Sequence, residues 1–193
     1  VDRKDSSIIA AISLYNWISK NIAVATSIQS NDTTSSGIAQ TETLPDISSA
    51  NDIYSTLLTK KGNEKSASAL YVFLLKQLGI DSKVVSGWSG EAFRTWNMVC
   101  LNNKWYHCDI YSEQKASDGE GLSYFGMTKS EIKDSISVSE ICTGAFKWYT
   151  EKTPNASSKK FKDFRDVQSF SINSERNGIE GYTKEFSRFM WEI

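Results

Sequence analysis

An apolar stripe at helical spacing, followed by two alternating segments around a pair of asparagines, places the strongest constraint on this fold. Between Gly62 and Gly79 the apolar side chains recur every three or four positions, at Ala67, Leu70, Tyr71, Leu74, Leu75 and Leu78. This spacing predicts a helix that buries one face. Gly79 is a favourable residue to follow the last turn of that helix.

The two alternating segments lie at residues 93–101 and 104–111 and are separated by Asn102 and Asn103. Asparagine tolerates a positive φ, which both central residues of a tight hairpin turn require, so we predict a two-residue β-hairpin. The helix and the hairpin together predict an α+β domain in which helices pack on an antiparallel sheet.

The hairpin also predicts which side chains face one another. If Leu101 pairs with Lys104, then Trp96 lies opposite Asp109, and Arg94 lies diagonal to Asp109 on the same face of the sheet. Diagonal neighbours in a sheet are about 7–8 Å apart, which an arginine side chain can span. We therefore expect Arg94 to reach Asp109.

The other predicted elements follow from capping residues, periodicity and polar composition. We predict helices at residues 7–20, 52–58 (capped by Ser49), 129–137 (from a capping box of Thr128 and Glu131) and 183–191, strands at 83–88 and 142–150, loops at 25–50 and 112–123, and a lysine-rich connector at 157–165. We assign residues 1–140 to a core domain and residues 141–193 to a C-terminal extension packed on it.

Three stretches carry a resemblance to a known family. They are Gly62-Asn63-Glu64 at the start of the helix, Arg94-Thr95-Trp96-Asn97 in the first hairpin strand, and Trp105-Tyr106-His107-Cys108-Asp109 in the second. In order and spacing they resemble the core of the transglutaminase-like superfamily, in which a Cys begins the helix, a His-Ala-Trp strand follows, and a Trp-Tyr-x-x-Asp strand completes the site. The resemblance spans about residues 52–132 and implies a papain-like topology.

The resemblance also assigns positions to the residues of a catalytic triad. Glu64 takes the position of the nucleophile, Arg94 that of the histidine and Asp109 that of the aspartate. In the family, a thiolate at a helix N-terminus and a neighbouring imidazolium carry out acyl transfer or peptide hydrolysis. Arginine stays protonated and a carboxylate is a poor nucleophile toward amides, so we expect no catalytic residue here.

We therefore predict a degenerate domain that works as a binding or interaction module rather than as an enzyme. Its ligand is expected to be a peptide, a cell-wall fragment or a protein partner. The predicted binding residues are a carboxylate–guanidinium–carboxylate cluster with two ring-bearing neighbours: Glu64, Arg94, Asp109, Trp96 and His107.

Two other interpretations of the same charges stay open at this point. Glu64 and Arg94 could form an ordinary exposed ion pair, which contributes only about 0–1 kcal/mol, or the whole cluster could be purely structural. Glu64 and Asp109 could also form a glycosidase pair. An arginine between them would keep both ionised, however, and would leave no general acid.

Cysteine and tryptophan residues suggest further alternatives. Cys100 lies diagonal to His107 in the predicted hairpin, so a relocated Cys–His pair could serve an active cysteine hydrolase or acyltransferase. A cysteine in the middle of a strand lacks the helix terminus that would activate it.

Trp88, Trp96 and Trp105 could form a stacking patch for a sugar or peptide, although tryptophans at these positions are more often part of a core.

Composition excludes several function classes. The net charge is −1, with Lys and Arg spread along the chain, so no nucleic-acid surface is predicted. Three cysteines without CxxC spacing and a single histidine predict no metal site, and we expect no cofactor. No apolar run approaches the ~20 residues of a membrane span. The Ser-, Asn- and Lys-rich composition suggests a bacterial protein that is extracellular or on the cell surface.

Overall fold

The computed structural model describes residues 7–25, 52–90, 92–117, 119–143, 152–173, 175 and 178–192. Its helices are α1 (Ser7–Asn21), α2 (Ile53–Thr59), α3 (Glu64–Gln77), α4 (Ile110–Ser117) and α5 (Lys129–Ile136), with a 3-10 turn at Lys162–Asp166. Its strands are β1 (Ala23–Ala25), β2 (Lys61–Asn63), β3 (Ser82–Ser89), β4 (Ala92–Leu101), β5 (Lys104–Cys108), β6 (Val138–Thr143), β7 (Val167–Asn173), β8 (Gly178–Thr183) and β9 (Arg188–Glu192).

The central helix α3 begins and ends where the sequence predicts. Asn63 caps it, because the Asn63 side chain accepts a hydrogen bond from the Ser66 amide at 2.9 Å. The Ser66 hydroxyl accepts one from the Asn63 amide at 3.1 Å, which completes a reciprocal capping box. Leu78 is the C-cap, and Gly79 follows with a φ of 73° that an L side chain rarely adopts.

The β4–β5 hairpin also has the predicted register. Leu101 pairs with Lys104 and Met98 with His107. Asn102 and Asn103 have φ values of 50° and 58°, so both occupy the left-handed region that a two-residue hairpin turn requires. The turn therefore fixes which residues of the two strands face one another.

The main sheet is antiparallel, has the strand order β5-β4-β3-β6, and packs between helices. One cluster joins α3 and α1 to the sheet and includes Tyr15, Tyr71 and Val99. A second cluster lies around α5 and includes Trp96 and Ile132. The predicted α+β fold, with its central helix packed on an antiparallel sheet, is confirmed.

Several boundaries near the middle of the chain were predicted wrongly. The second hairpin strand ends at Cys108 rather than at residue 111, and α4 occupies much of the predicted loop at 112–123. Asp109 ends the strand because its Oδ1 accepts a hydrogen bond from the Ser112 amide at 3.0 Å, as a helix N-cap does. The polar composition of this segment did not predict a helix, and the buried residues of α4 include Glu113.

The short elements before α3 also differ in detail from the prediction. Helix α2 is capped by Asp52, whose side chain accepts from the Ser55 amide at 2.7 Å. The predicted cap, Ser49, lies outside the described residues, and so does the part of the predicted loop at residues 26–50. Ala25 belongs to β1, which pairs in parallel with β2.

The C-terminal part forms strands where a helix was predicted. Thr183 ends β8, and residues 184–191 form a turn and most of β9, in an antiparallel sheet of order β7-β8-β9. In β9 the buried Phe189 and half-buried Trp191 alternate with the exposed Arg188 and Met190, which is a two-residue period. The predicted strand at 142–150 begins earlier, in β6, and residues 144–150 lie outside the described ranges.

The predicted connector at residues 157–165 contributes to the core. Phe161 and Phe164 are fully buried. The Phe161 ring centroid lies 4.8 Å from that of Tyr106 and 5.5 Å from that of Phe125, in edge-to-face contacts. Such pairs add about 0.5–1.5 kcal/mol beyond the area they bury. Residues on both sides of position 141 therefore share one hydrophobic cluster.

Candidate functional site

Glu64 is the first residue of α3 and lies in the turn whose backbone amides lack partners within the helix. Its Oε1 accepts a hydrogen bond from Arg94 Nε at 2.8 Å, and its Oε2 accepts from the Thr95 backbone amide at 2.8 Å. A negative charge in the first turn of a helix gains about 0.3–1 kcal/mol from the helix dipole. Both oxygens of Glu64 therefore face hydrogen-bond donors.

Arg94 joins Glu64 to a second carboxylate. Its Nη2 donates to Asp109 Oδ2 at 3.0 Å and to Ser112 Oγ at 3.3 Å. The guanidinium therefore bridges the N-terminus of α3 and the end of β5. We refer to Glu64, Arg94 and Asp109 as the carboxylate–guanidinium cluster. The structure brings these side chains together as the sequence predicts, and their role in binding stays a prediction.

Asp109 is held as firmly as Glu64. Its Oδ1 accepts from the Ser112 amide and its Oδ2 accepts from Ser112 Oγ at 2.7 Å. The hairpin places Asp109 beside Arg94, and the start of α4 places Ser112 beside both. The position of Asp109 therefore depends on two consecutive elements of secondary structure.

The cluster is not an exposed surface ion pair. The side chains of Glu64, Arg94 and Asp109 are 3%, 13% and 1% exposed. Burial raises the pKa of the Glu64 carboxyl, and both the Arg94 guanidinium and the Thr95 amide oppose that rise. Arg94 stays protonated and cannot exchange protons near neutral pH.

The geometry also opposes the glycosidase interpretation of this cluster. A retaining or inverting glycosidase needs a protonated carboxyl that can reach the sugar. Glu64 and Asp109 both accept hydrogen bonds from Arg94, and both side chains are almost fully buried, so neither can reach a sugar. The pair therefore offers no accessible general acid.

A cavity of about 470 Å³ lies beside the cluster and is lined by Arg94, Tyr111, Ser112, Lys115, Tyr124 and Ser137 among others. We call it the Tyr111 cavity. The centroid of the Tyr111 ring lies 5.0 Å from Arg94 Cζ and 5.5 Å from Lys115 Nζ. Tyr111, Lys115 and Tyr124 were not among the predicted site residues. The spacing of four residues between Tyr111 and Lys115 would have placed them on one helix face, had α4 been recognised.

Comparison with known proteins decides the family. The model of the transglutaminase-like superfamily matches residues 1–110, which is more than half of the chain. This chain belongs to the transglutaminase-like superfamily. The matched segment contains α3, the hairpin and all three residues of the carboxylate–guanidinium cluster.

One similar solved structure belongs to a Cytophaga hutchinsonii protein described provisionally as a cysteine protease. It is 13% identical, has a TM-score of 0.37, and is aligned over 78% of this chain and 48% of its own. The chain thus spans about half the length of that protein. No curated protein matches the sequence.

Trp96 and His107 form a separate buried pair in this transglutaminase-like domain. They are 0% and 1% exposed, and Trp96 Nε1 donates a hydrogen bond to His107 Nδ1 at 3.1 Å. Burial, assisted by the positive charge of Lys129, lowers the pKa of His107 to about 3. His107 is therefore neutral at pH 7, with its ring proton on Nε2. Because both side chains are buried, Trp96 and His107 could affect a bound ligand only indirectly, by positioning the residues around them.

The described cysteines do not form an activated pair with His107. Cys108 is fully buried, and burial raises the pKa of its thiol to about 12. Cys100 is half-buried, and desolvation together with the charge of Asp81 raises the pKa of its thiol as well. A thiolate–imidazolium pair requires shifts in the opposite directions. Both thiols are free.

Two further observations bear on ligands and setting. Within the described ranges, no group of three or more His, Cys, Asp and Glu side chains is arranged to hold a metal ion. Every helix in the described part of the chain is too short or too polar to cross a lipid bilayer.

Proposed function

We propose that this transglutaminase-like domain is catalytically degenerate and works as a binding module for a peptide, a cell-wall fragment or a protein partner. The observation that carries the proposal is the salt bridge from Glu64, at the first position of α3, to Arg94. The family resemblance assigns these two positions to the nucleophile and the base. A thiolate and an imidazole are replaced there by a carboxylate and a guanidinium.

The chemistry of the cluster argues against acyl transfer. Nucleophilic catalysis at an amide needs an activated nucleophile and a group that accepts and returns a proton. Glu64 is held by two donors and is 3% exposed, and Arg94 cannot give up its proton near neutral pH. The cluster keeps the charge pattern of a catalytic site and lacks its reactive groups.

The features that remain are suited to binding. The cluster is rigid, because each of its members makes at least two hydrogen bonds. Beside it, Tyr111 and Tyr124 are half-buried and line the open Tyr111 cavity. Tyrosine offers a large contact area with little conformational freedom to lose. We propose that this cavity is the binding site and that the domain acts at a bacterial surface or outside the cell.

The alternative is an active cysteine hydrolase or acyltransferase that uses Cys100 and His107. It would require a reactive thiol on β4 and a titratable imidazole beside it. The pKa shifts of Cys100 and His107 both oppose it, and His107 Nδ1 is already engaged by Trp96. The binding module and the cysteine enzyme therefore predict different reactivities for the Cys100 thiol.

Alkylation by iodoacetamide, followed residue by residue with mass spectrometry at pH 7, tests the proposal. We expect Cys100 to react no faster than a cysteine in a short unstructured peptide, and His107→Gln to leave that rate unchanged. Faster alkylation of Cys100 that is lost in His107→Gln would contradict the proposal and favour the enzyme.

Assays of amide hydrolysis and of amine incorporation into glutamine peptides complete the test. The unaltered protein is expected to show no turnover. Turnover that Cys100→Ser abolishes would favour the enzyme. Restoring the family residues with Glu64→Cys and Arg94→His together is expected to introduce thiol-dependent activity. Glu64→Cys alone, which lacks the base, is the matched control.

A further inference from the structure

The Tyr111 cavity has an uneven distribution of charge. Arg94 and Lys115 both line it, and none of the described residues that line it is acidic. The carboxylates of Glu64 and Asp109 contact Arg94 without lining the cavity themselves. A ligand in the cavity would therefore meet two cations and several hydroxyl groups.

The two cations converge on one aromatic ring. Arg94 Cζ and Lys115 Nζ lie 5.0 and 5.5 Å from the centroid of the Tyr111 ring. Contacts of this kind position cations at a ring face while leaving their other N–H groups open to partners. Tyr111 thus holds both cations at the wall of the same cavity.

Arg94 has donor capacity left over after its contacts within the cluster. Its Nε is taken by Glu64, and its Nη2 by Asp109 and Ser112. Nη1 donates no hydrogen bond to any residue that the structure describes. Arginine N–H groups match the geometry of carboxylate oxygens, and hydrogen bonds between charged groups are the stronger ones.

The charge balance favours an anion with a single charge. Glu64 and Asp109 carry two negative charges and Arg94 and Lys115 two positive ones, so the four groups are neutral together before a ligand binds. A carboxylate adds one negative charge to this balance, whereas a phosphate group adds about −1.5 to −2 at pH 7. The chemistry of the cavity is therefore better suited to a carboxylate than to a phosphate.

We propose that the Tyr111 cavity binds a carboxylate group of a peptide, held between Arg94 Nη1 and Lys115 Nζ against the wall that Tyr111 forms. This inference rests on the proposed binding function and adds the chemical group that the site recognises. The carboxylate can come from a peptide C-terminus or from an acidic side chain, and small probes distinguish these two sources.

The test is an NMR titration of the ¹⁵N-labelled chain at fixed ionic strength, because salt screens exposed charges. N-acetylalanine and its neutral amide represent the peptide C-terminus. The α-amides of N-acetylglutamate and N-acetylglutamine represent the side chain. We expect at least one acid to bind about tenfold more tightly than its matched amide, and to shift the backbone signals of Ser112, Lys115 and Ser137.

Two variants report on the site. Lys115 is exposed and is not a member of the core cluster, so Lys115→Gln is expected to keep the fold while losing most of the preference for acid over amide. Lys104→Gln removes the same charge from the hairpin turn, away from the cavity, and is expected to bind like the unaltered protein.

The possible outcomes separate this inference from the proposed function. Preference for N-acetylalanine alone identifies a peptide C-terminus, and preference for the glutamate probe alone identifies an acidic side chain; either supports the inference. Equal binding of acids and amides, tighter binding of inorganic phosphate, an unchanged preference in Lys115→Gln, or no shifts at all would overturn it. Turnover of an amide substrate would instead overturn the non-catalytic assignment and leave carboxylate binding unaffected.

Discussion

Replacing Arg94 with methionine removes the cation that Glu64 and Asp109 share and leaves both carboxylates buried. The substitution deletes two charge-assisted hydrogen bonds to carboxylates, of 2.8 and 3.0 Å, each of which contributes about 1.5–3 kcal/mol. Removing one partner of a buried ion pair costs about 3–5 kcal/mol, because an uncompensated charge stays in the interior. The Thr95 amide and Ser112 remain as donors. We therefore expect the free energy of unfolding to fall by an amount near the lower limit of this range, about 3 kcal/mol.

Urea unfolding at pH 7, followed by tryptophan fluorescence, measures this loss. The double variant Arg94→Met with Glu64→Gln is the matched control, because it removes the uncompensated charge as well as the cation. We expect the double variant to recover part of the stability, with a coupling energy of about 0.5–3 kcal/mol in the double-mutant cycle.

The pH dependence of the single variant provides a second readout. Without Arg94, the pKa of Glu64 in the folded state rises further above its value in the unfolded chain. A raised carboxyl pKa contributes stability at low pH that is lost as the pH rises through it. The deficit of Arg94→Met should therefore shrink between pH 7 and pH 5. A loss below about 1 kcal/mol that does not depend on pH would refute this reasoning, because an exposed pair behaves in that way.

Two further predictions concern the core. The pKa of His107 is about 3 in the folded protein, below its usual value, so stability should fall as the pH is lowered from about 6.5 toward 3, by at most about 1.4 kcal/mol per pH unit. The difference in urea-unfolding free energy between the unaltered protein and His107→Gln should show this slope, and parallel curves would contradict it. Phe161→Ala should cost about 3–5 kcal/mol in the same assay, because Phe161 is fully buried among aromatic rings. The exposed Phe186→Ala is the matched control and should cost little, and losses of equal size in both variants would contradict the role given to Phe161 in the core.

Most of the fold around the cluster could be predicted because its signals are local. The capping residues and period of α3 lie within the helix itself, and Asn102 and Asn103 set the hairpin register by their positive φ. The contact of Arg94 with Asp109 follows from that register. Its contact with Glu64 was inferred from the family resemblance, since helix and strand are far apart in the sequence.

The elements that were missed have weaker local signals. Helix α4 is short and polar, and its buried Glu113 is satisfied by Tyr15 and by the Tyr124 amide, which are distant in sequence. Strand β9 is also short, and its two-residue period was mistaken for a helical one. The Tyr111 cavity depends on α4, so it was missed together with that helix.

Sequence alone predicted the central helix and the hairpin, because periodicity and turn chemistry are local properties, and the resemblance to the family pointed to the three charged residues. The folded arrangement was needed to show that the cluster is buried, that His107 is neutral, and that Tyr111 and Lys115 line a cavity beside Arg94. These properties depend on what packs around each side chain, and burial is set by segments far apart in the chain.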